Sequence, residues 1–477
     1  MTNPATGLPV SRRDLLKAAG GALAAGRAAF ARPQSRTSRK VIVAGAGISG
    51  LSCGYELMQR GHDVTVLEAL GRPGGHVLTV RDNLADALYA DAGAEHFYRS
   101  AYQELYKYIE EFDLPVIPYP RRQNIILFIE GKPYTEEMLA DPVVLRKFGF
   151  NQREIDYLRR SHWGDFSGCY LGPYLDSIHD ETRPLDAGLN HLDQISVRDL
   201  MAKEGASPAA LKFAGNSASA LYAIWQLSNR KRRGITVFVR DVYRIQGGNQ
   251  RITDALAAKL RDRLRLGCPV TGITYGHNGV TVAYQEFGKP KKMDADYVVI
   301  SMPLRALRQV AVTPPWPENK RFVIENTHYE LKARVIFQSR TKFWKTDRLS
   351  PNMEFGQTEL SEAWAMAEEV PTRRGLLIGQ ARTSSADAAL AKYRQLYPGR
   401  SEDIEQAQLI NWTLDPFAGS CLPLPPPPGQ LARFWPEISL PVARIYFASV
   451  VVDSFPNGLE GGIRAAKKAA EEISQAA

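Results

Sequence analysis

Val41-Ile42-Val43-Ala44 runs straight into Gly45-Ala46-Gly47-Ile48-Ser49-Gly50, and no other stretch of the 477-residue chain constrains its fold as strongly. A short, wholly apolar run suits a parallel strand buried on both faces. Ile48 to Gln59 then carries apolar residues at helical spacing, and Gly61 stands where a helix ends on a glycine cap. Between strand and helix, each glycine of a G-x-G-x-x-G has its own reason. The first allows the tight turn, the second lets backbone approach a pyrophosphate, and the third permits close helix packing. Phosphates sit well at the helix N-terminus, where unpaired N–H groups and the helix dipole favour anions. Val64-Thr65-Val66-Leu67 supplies the second strand, and Glu68 at its end is placed to accept hydrogen bonds from ribose hydroxyls. A carboxylate there repels a 2′-phosphate, which disfavours NADP. The unit begins at Lys40, and it predicts a bound dinucleotide.

A chain of this length exceeds one ordinary core, so two domains are expected. With 44% hydrophobic and 23% charged residues, the composition is that of a soluble enzyme and excludes large-scale disorder. Strand-rich sequence returns between Ile235 and about Ile300, with Cys268-Pro269-Val270, a hairpin-like Gly276-His277-Asn278-Gly279 and a strand from Tyr297 to Ser301. It returns again at Arg444 to Ser449, followed by a helix from Gly461 to Ala476. Two long insertions separate these regions. Residues 114–234 are mostly helical in pattern and rich in aromatics, and residues 305–407 carry a strand from Ala333 to Gln338 with several helices. The fold class is α/β. Residues 40–113, 235–304 and 408–477 are expected to form a discontinuous, Rossmann-like cofactor domain, and 114–234 with 305–407 an inserted α+β substrate domain. Pro423 to Pro428 reads as a stiff surface crossing.

The N-terminus reads differently. Ser11-Arg12-Arg13-Asp14-Leu15-Leu16-Lys17 precedes a small-residue apolar stretch, Ala18 to Ala25, and Ala29-Phe30-Ala31 offers an A-x-A cleavage site. This pattern predicts a twin-arginine export signal over residues 1–31 and a periplasmic or secreted protein. The stretch is too short to span a bilayer, and no later segment is long and apolar enough to do so. A route that exports folded proteins suits an enzyme that takes up its cofactor in the cytoplasm.

The formal net charge of +9 suits an anionic cofactor or substrate as well as it suits nucleic acid. The one basic run, Arg230-Lys231-Arg232-Arg233, lacks interleaved aromatics and reads as a solvated loop or helix end, so no nucleic-acid partner is expected. Cys53, Cys169, Cys268 and Cys421 are scattered without Cys-x-x-Cys spacing or neighbouring His pairs, so no metal site is expected.

Glu68-Ala69-Leu70-Gly71-Arg72-Pro73-Gly74-Gly75-His76 places a Gly-Gly pair just after the ribose acid. This segment resembles the flavin amine oxidase superfamily, and the resemblance recurs in order along almost the whole remaining chain. It is carried by Asp91-Ala92-Gly93-Ala94, Gln246-Gly247-Gly248-Asn249, Pro269-Val270, Val299 to Leu304, Phe343-Trp344, Trp412 with Asp415-Pro416 and Gly419, Tyr446-Phe447-Ala448-Ser449, and Gly458-Leu459-Glu460-Gly461-Gly462. It implies FAD as the cofactor. The implied contacts are Gly45, Gly47, Ser49 and Gly50 at the phosphates, Glu68 and Ala69 at the ribose, then Gly75 and His76. Gly93, Ala94 and Glu95 fall in the loop beneath the flavin, Val270 at the adenine, and Ser449, Gly458 and Leu459 in the closing motif. A Gly-rich loop opening the last helix aims N–H groups at the edge of the flavin that becomes negative on reduction.

Departures from the family pattern bear on the substrate. Ser449 and Val450 stand where Gly and an acid are usual, and His76 stands where Arg is usual. Arg334 takes the place of the lysine that many members set beside flavin N5, with Lys332, two residues earlier and so on the same face of a strand, as the other candidate. The aromatic pair of the monoamine oxidases is replaced by Leu422 and Gly458. His96, preceded by Glu95, replaces the arginine that holds the substrate carboxylate in amino-acid oxidases. Arg334, Lys332 and His96 are thus the candidate catalytic residues.

The resemblance implies oxidation of a C–N bond of an amine, with hydride passing from the α-carbon to flavin N5 and water hydrolysing the imine. Oxygen or a protein electron acceptor would complete the cycle. Three other readings stay open: desaturation of a C–C bond in a less polar substrate, L-amino-acid oxidation, and FAD binding without catalysis. Covalent attachment of the flavin is not expected, and Cys421 is the only candidate for it. The oligomeric state is open, a homodimer being compatible.

Overall fold

The computed structural model describes residues 38–476 apart from 215–217, 237, 331, 357–358, 398 and 420–422. Its first sheet has five parallel strands in the order Ile445–Phe447, Tyr297–Ile300, Lys40–Ala44, Asp63–Leu67, Leu264–Arg265. Val41 to Ala44 are wholly buried, which is why this strand reads as an unbroken apolar run. Successive side chains leave opposite faces. Val41 and Val43 pack with Leu51, Leu256 and Ile463 of the helices Ile48–Gln59, Gln250–Leu260 and Gly458–Gln475. Ile42 and Ala44 pack on the other side with Val280, Val282 and Tyr284. Those residues belong to a four-stranded sheet in which Val270–Tyr275 and Val280–Glu286 form the expected hairpin.

The second layered unit is a seven-stranded sheet, ordered Ile404–Asn411, Ala333–Ser339, Gly375–Ala381, Leu360–Met366, Met353–Glu354, Ile126–Ile129, Lys132–Thr135. One face packs on the helix Ala386–Leu396 through Phe337, Phe355, Leu377 and Tyr393. The other turns toward the first sheet's domain, where Ile336, Trp364, Met366 and Ile378 join one apolar cluster with Tyr89 and Phe97. The boundary expected between residues 407 and 408 falls inside a strand. Ile404–Asn411 pairs along its length with Ala333–Ser339, so backbone hydrogen bonding carries it into the seven-stranded sheet.

Residues 142–232 hold short helices, two of them started by full capping boxes, Asn151 with Glu154 and Ser196 with Asp199. The basic run ends the helix Ala220–Arg232. It is a solvent-exposed helix end, as expected, and it makes surface contacts: Lys231 pairs with Asp176, Arg232 donates to the carbonyls of Ile178 and His179, and Arg233 pairs with Glu181. Favourable cations at a helix C-terminus here also fasten a neighbouring loop. Among the described residues no helix is long and apolar enough to cross a membrane. The export signal at 1–31, Cys421 and Leu422 lie outside the described residues.

Candidate active site

A cavity of about 400 Å³ opens at the C-terminal ends of the parallel strands. Two helices begin on it. Gly47, Ile48 and Ser49 line it at the start of one, and Gly458 and Leu459 at the start of the other. Neither helix has a side chain capping its first N–H groups. Uncapped N–H groups facing a cavity need an acceptor from a ligand or from water, and two positive dipole ends favour an anionic one.

The turn is shaped for close approach. Gly45 has φ +113°, and its N–H donates to the Leu67 carbonyl at 2.8 Å. A Cβ on Gly47 would meet nothing within 4 Å, so the space beside it belongs to the cavity. Gly74 donates to the Ala46 carbonyl at 2.8 Å, which brings the Gly-Gly segment against the phosphate loop. Gly50 has the packing role expected of the third glycine, since a Cβ there would lie 1.9 Å from the Gly45 carbonyl oxygen.

Glu68 lines the cavity with both oxygens already engaged, accepting from the Ala46 N–H at 2.6 Å and the Leu70 N–H at 2.8 Å. These bonds fix the carboxylate and leave each oxygen a further lone pair for a hydroxyl. Burial raises its pKa, and the two backbone donors oppose that. His76 is also on the cavity, its ring 4.3 Å from that of Trp412. Burial first, then Arg334 and Arg72, push its pKa down to about 3, so it is neutral. Its buried Nδ1 has no partner among the described residues.

Of the residues read from sequence as cofactor contacts, Gly45, Gly47, Ser49, Glu68, Ala69, Gly75, His76, Ala94, Val270, Ser449, Gly458 and Leu459 line this one cavity. Gly50, Gly93 and Glu95 do not. Gly93 sits so tightly on His76 that a Cβ would lie 1.6 Å from the His76 carbonyl oxygen. Glu95 turns instead into a buried charge network. Its Oε1 lies 3.0 Å from Arg121, 3.2 Å from His96 and 3.9 Å from Arg334. Burial pushes the Glu95 pKa upward, but Arg121, Arg334 and the His96 hydrogen bond outweigh it and hold the carboxyl at about 2. His96 is neutral, pushed to about 4 by burial against the pull of Glu95.

Arg334 is drawn to the Gly93 carbonyl, 3.4 Å away, and to the face of Trp364. Lys332 precedes the strand Ala333–Ser339 and pairs with Glu330 at 2.9 Å, apart from this network. The expectation that Lys332 shares a face with Arg334 is therefore not met, because the strand starts after it.

Sequence reading missed Arg121, Trp364 and Glu362. Arg121 pairs with Glu95 and Glu362 and lies 3.8 Å over the Trp364 ring. It comes from a short turn after Tyr119-Pro120, and only the paired basic residues Arg121-Arg122 in an otherwise apolar stretch marked the place.

A model of the "Flavin containing amine oxidoreductase" family matches residues 48–474. The chain belongs to that family. It is 26% identical over 465 residues to an L-amino-acid oxidase of Bothrops atrox, covering 92% of this chain and 89% of that protein. An L-amino-acid oxidase of Pseudechis australis is 25% identical over 471 residues, with 92% and 88% covered. Cyclohexylamine oxidase from Brevibacterium oxydans superposes with a TM-score of 0.76 at 21% identity, covering 92% of this chain and 99% of that one. Putrescine oxidase bound to putrescine gives 0.73 at 20% identity, with 91% and 99% covered. The amine oxidoreductase is thus a flavin-dependent enzyme with a Rossmann-like cofactor domain and a substrate-binding domain. The open space at Gly47, the unpartnered Nδ1 of His76 and the two uncapped helix starts fit a dinucleotide cofactor.

Proposed function

We propose that this chain is an FAD-dependent oxidoreductase that oxidises a C–N bond of an amine. The observation that carries the reading is the convergence of two uncapped helix N-termini, from opposite ends of the sequence, on one cavity beside the Glu68 carboxylate. In this reading Gly47 to Ser49 hold the pyrophosphate, Glu68 the adenosine ribose, and Gly458 and Leu459 the flavin edge that gains charge. Bound FAD would supply the acceptor for the hydride, which carries both electrons of the oxidised bond.

The protein's own part is placement and electrostatics. Arg334 and Glu95 set a fixed, nearly neutral charge pair against the Gly93–Ala94 loop. Neutral His76 and His96 add no positive charge near neutral pH. A neutral amine needs no strong protein base to give up hydride, which agrees with the absence of a nucleophile–base pair in this reading.

The test is direct. Purified protein should be yellow, release FAD on denaturation, and bleach anaerobically on addition of amines, with aldehyde or ketone and ammonia as products. A flavin reduced by dithionite but by no amine overturns the reading. The L-amino-acid oxidases among the relatives favour a second reading, oxidation of an amino acid. Against it, His96 is held by Glu95 and is neutral, so position 96 offers no cation to a carboxylate. Parallel bleaching by amino acids and by the corresponding amines separates the two.

Export by the twin-arginine route is the localisation this reading carries. Replacing Arg12 and Arg13 together by lysine should leave the protein in the cytoplasm, as read by cell fractionation.

A further inference from the structure

The hairpin joining the strands Val280–Glu286 and Lys289–Ala295 ends in a tip whose chemistry runs against its backbone. Register pairs Glu286 with Lys289, so the loop has only two residues, Phe287 and Gly288. Both have positive φ, +51° and +75°. A two-residue hairpin with both residues at positive φ is a type I′ turn, and Asn-Gly is the pair it favours. Phe287 instead sets a bulky side chain on a left-handed backbone, which is disfavoured. The ring gains no packing in return. It is 89% exposed, more than any other large hydrophobic side chain among the described residues.

Six residues in a row, Phe287-Gly288-Lys289-Pro290-Lys291-Lys292, are exposed. None of the three lysine side chains has an ion pair or hydrogen bond among the described residues. Lys289 and Lys291 stand opposite Glu286 and Tyr284. Arg265 reaches the same place, 3.2 Å from the Tyr284 hydroxyl and 3.7 Å from Glu286, and so offsets the one acid at the tip. Lys292 adds its charge on the other face of the strand. The next acid, Asp294, accepts from the Thr281 hydroxyl further down the hairpin.

Lys289–Ala295 is the edge of its sheet. Lysines and a proline on an edge strand keep other chains from pairing with it, which disfavours a protein partner that adds a strand. Edge protection explains the lysines and Pro290 but not Phe287. A single-stranded nucleic acid stacks its bases on several aromatics, and this tip has one. A bare ring at the point of a hairpin, backed by unpaired lysines, suits an anionic bilayer. The ring enters the apolar boundary while the lysines stay among the headgroup phosphates.

We propose that this tip docks on an anionic lipid surface, with Phe287 inserted at the headgroup boundary and Lys289, Lys291 and Lys292 against lipid phosphates. The contact is peripheral and reversible. Val270, Thr271 and Gln285, at the same end of this sheet, line the cofactor cavity, so docking sets that end of the cavity beside the bilayer. Docking is independent of what the flavin oxidises.

The test is flotation of the flavin-loaded protein with phosphatidylcholine vesicles, either plain or with about 30% phosphatidylglycerol, at about 0.05 M and about 0.5 M salt. Wild type should float with the anionic vesicles at low salt, and neither with plain vesicles nor at high salt. Replacing Lys289, Lys291 and Lys292 together by glutamine should weaken binding about a hundredfold, at about fivefold per lysine. Phe287→Asn should weaken it about tenfold, while its Tm stays level or rises because Asn-Gly suits the turn better. Loss of binding without loss of stability separates docking from a structural role for the ring. No flotation with anionic vesicles overturns the proposal, as does equal flotation with plain ones. A Phe287→Asn variant that binds like wild type, or that melts well below it, also overturns it. Capture by polyglutamate but not by vesicles overturns it in favour of an acidic protein partner.

Discussion

Glu95 and Arg121 form a buried ion pair, 3.0 Å between Oε1 and Nη1, on which the surrounding charge network turns. Arg121 also reaches Glu362 and lies over the Trp364 ring, and Glu95 also faces His96 and Arg334. The pair thereby ties the loop at Gly93 to the sheet that carries Arg334. Removing one partner from such a pair leaves a charge in a medium that cannot solvate it.

Arg121→Gln should therefore destabilise the fold by about 3–5 kcal/mol. Measured by urea denaturation, Glu95→Gln combined with Arg121→Gln should cost less than the sum of the two single changes. Strict additivity in that cycle would show that the two side chains do not act as a unit.

Acid should unfold the protein in two windows with separable origins. His96 has a folded pKa near 4, below its ordinary 6.5, so its contribution is present above 6.5 and lost as pH falls toward 4. Glu95 has a folded pKa near 2, below its ordinary 4.5, so its contribution is complete above 4.5 and lost between 4.5 and 2. That second contribution is about 3 kcal/mol at 1.36 kcal/mol per unit. Asp91, raised to about 6, and Glu354, raised to about 7, act with the opposite sign as pH rises, so differences between variants are the test. His96→Asn should flatten the stability slope between pH 6.5 and 4 by about 1.4 kcal/mol per unit and narrow the lower window, since His96 helps hold Glu95 down. Glu95→Gln should abolish the lower window and widen the upper one, since Glu95 holds the His96 pKa up. A curve for His96→Asn that runs parallel to wild type would place the proton uptake elsewhere.

Gly47→Ala and Gly50→Ala should fail in different ways. A methyl on Gly47 meets no protein atom within 4 Å, so this variant should fold with a near-normal Tm and lose flavin, because the methyl enters the cavity. A methyl on Gly50 lies 1.9 Å from the Gly45 carbonyl and 2.4 Å from Ser301 Oγ, so that variant should lose more than about 4 kcal/mol or not fold. Thermal melts beside flavin absorbance read both. Normal flavin content in Gly47→Ala would remove Gly47 from the phosphate site.

The contrast between these glycines also marks what the sequence could show. Local rules reached the first turn because strand, glycine spacing and helix all lie within Lys40 to Leu67, and the strands Lys40–Ala44, Asp63–Leu67, Tyr297–Ile300 and Ile445–Phe447 fall where expected, as do the helices Ile48–Gln59 and Gly458–Gln475, whereas the edge strand Leu264–Arg265 was not foreseen. The cavity contacts at Val270, Ser449 and Gly458 were legible only through the ordered resemblance, since no local pattern joins segments so far apart. Arg121 and Glu362 were not legible at all. Each is an ordinary charged residue in a short element, and each acquires meaning from a partner more than twenty residues away in sequence. The same limit explains Lys332, which two-residue strand spacing placed beside Arg334 although the strand begins only at Ala333. It also explains Lys231 to Arg233, whose surface partners at Asp176 to Glu181 no count of charges reveals.

Gly458 and Tyr102 give a test of the site's far end. Gly458 has φ +49°, and a Cβ on it would lie 2.8 Å from Tyr102 Oη, with the next ring atom at 3.8 Å. The hydroxyl end of Tyr102 thus fills the space a side chain at 458 would take. Tyr102 is held there from both sides: its ring packs edge-on against Tyr98 at 4.9 Å, and Glu460 accepts the Glu104 and Leu105 N–H groups of the helix that Tyr102 begins. Gly458→Ala should cost about 1–2 kcal/mol for the left-handed backbone, plus the contact. Tyr102→Phe removes only the hydroxyl, which has no partner among the described residues, and should be nearly neutral. In the Tyr102→Phe background Gly458→Ala should then cost less, by a coupling of about 0.5 kcal/mol or more, with the backbone part remaining. Equal cost in both backgrounds would mean that the phenol yields freely and does not define the wall beside Gly458.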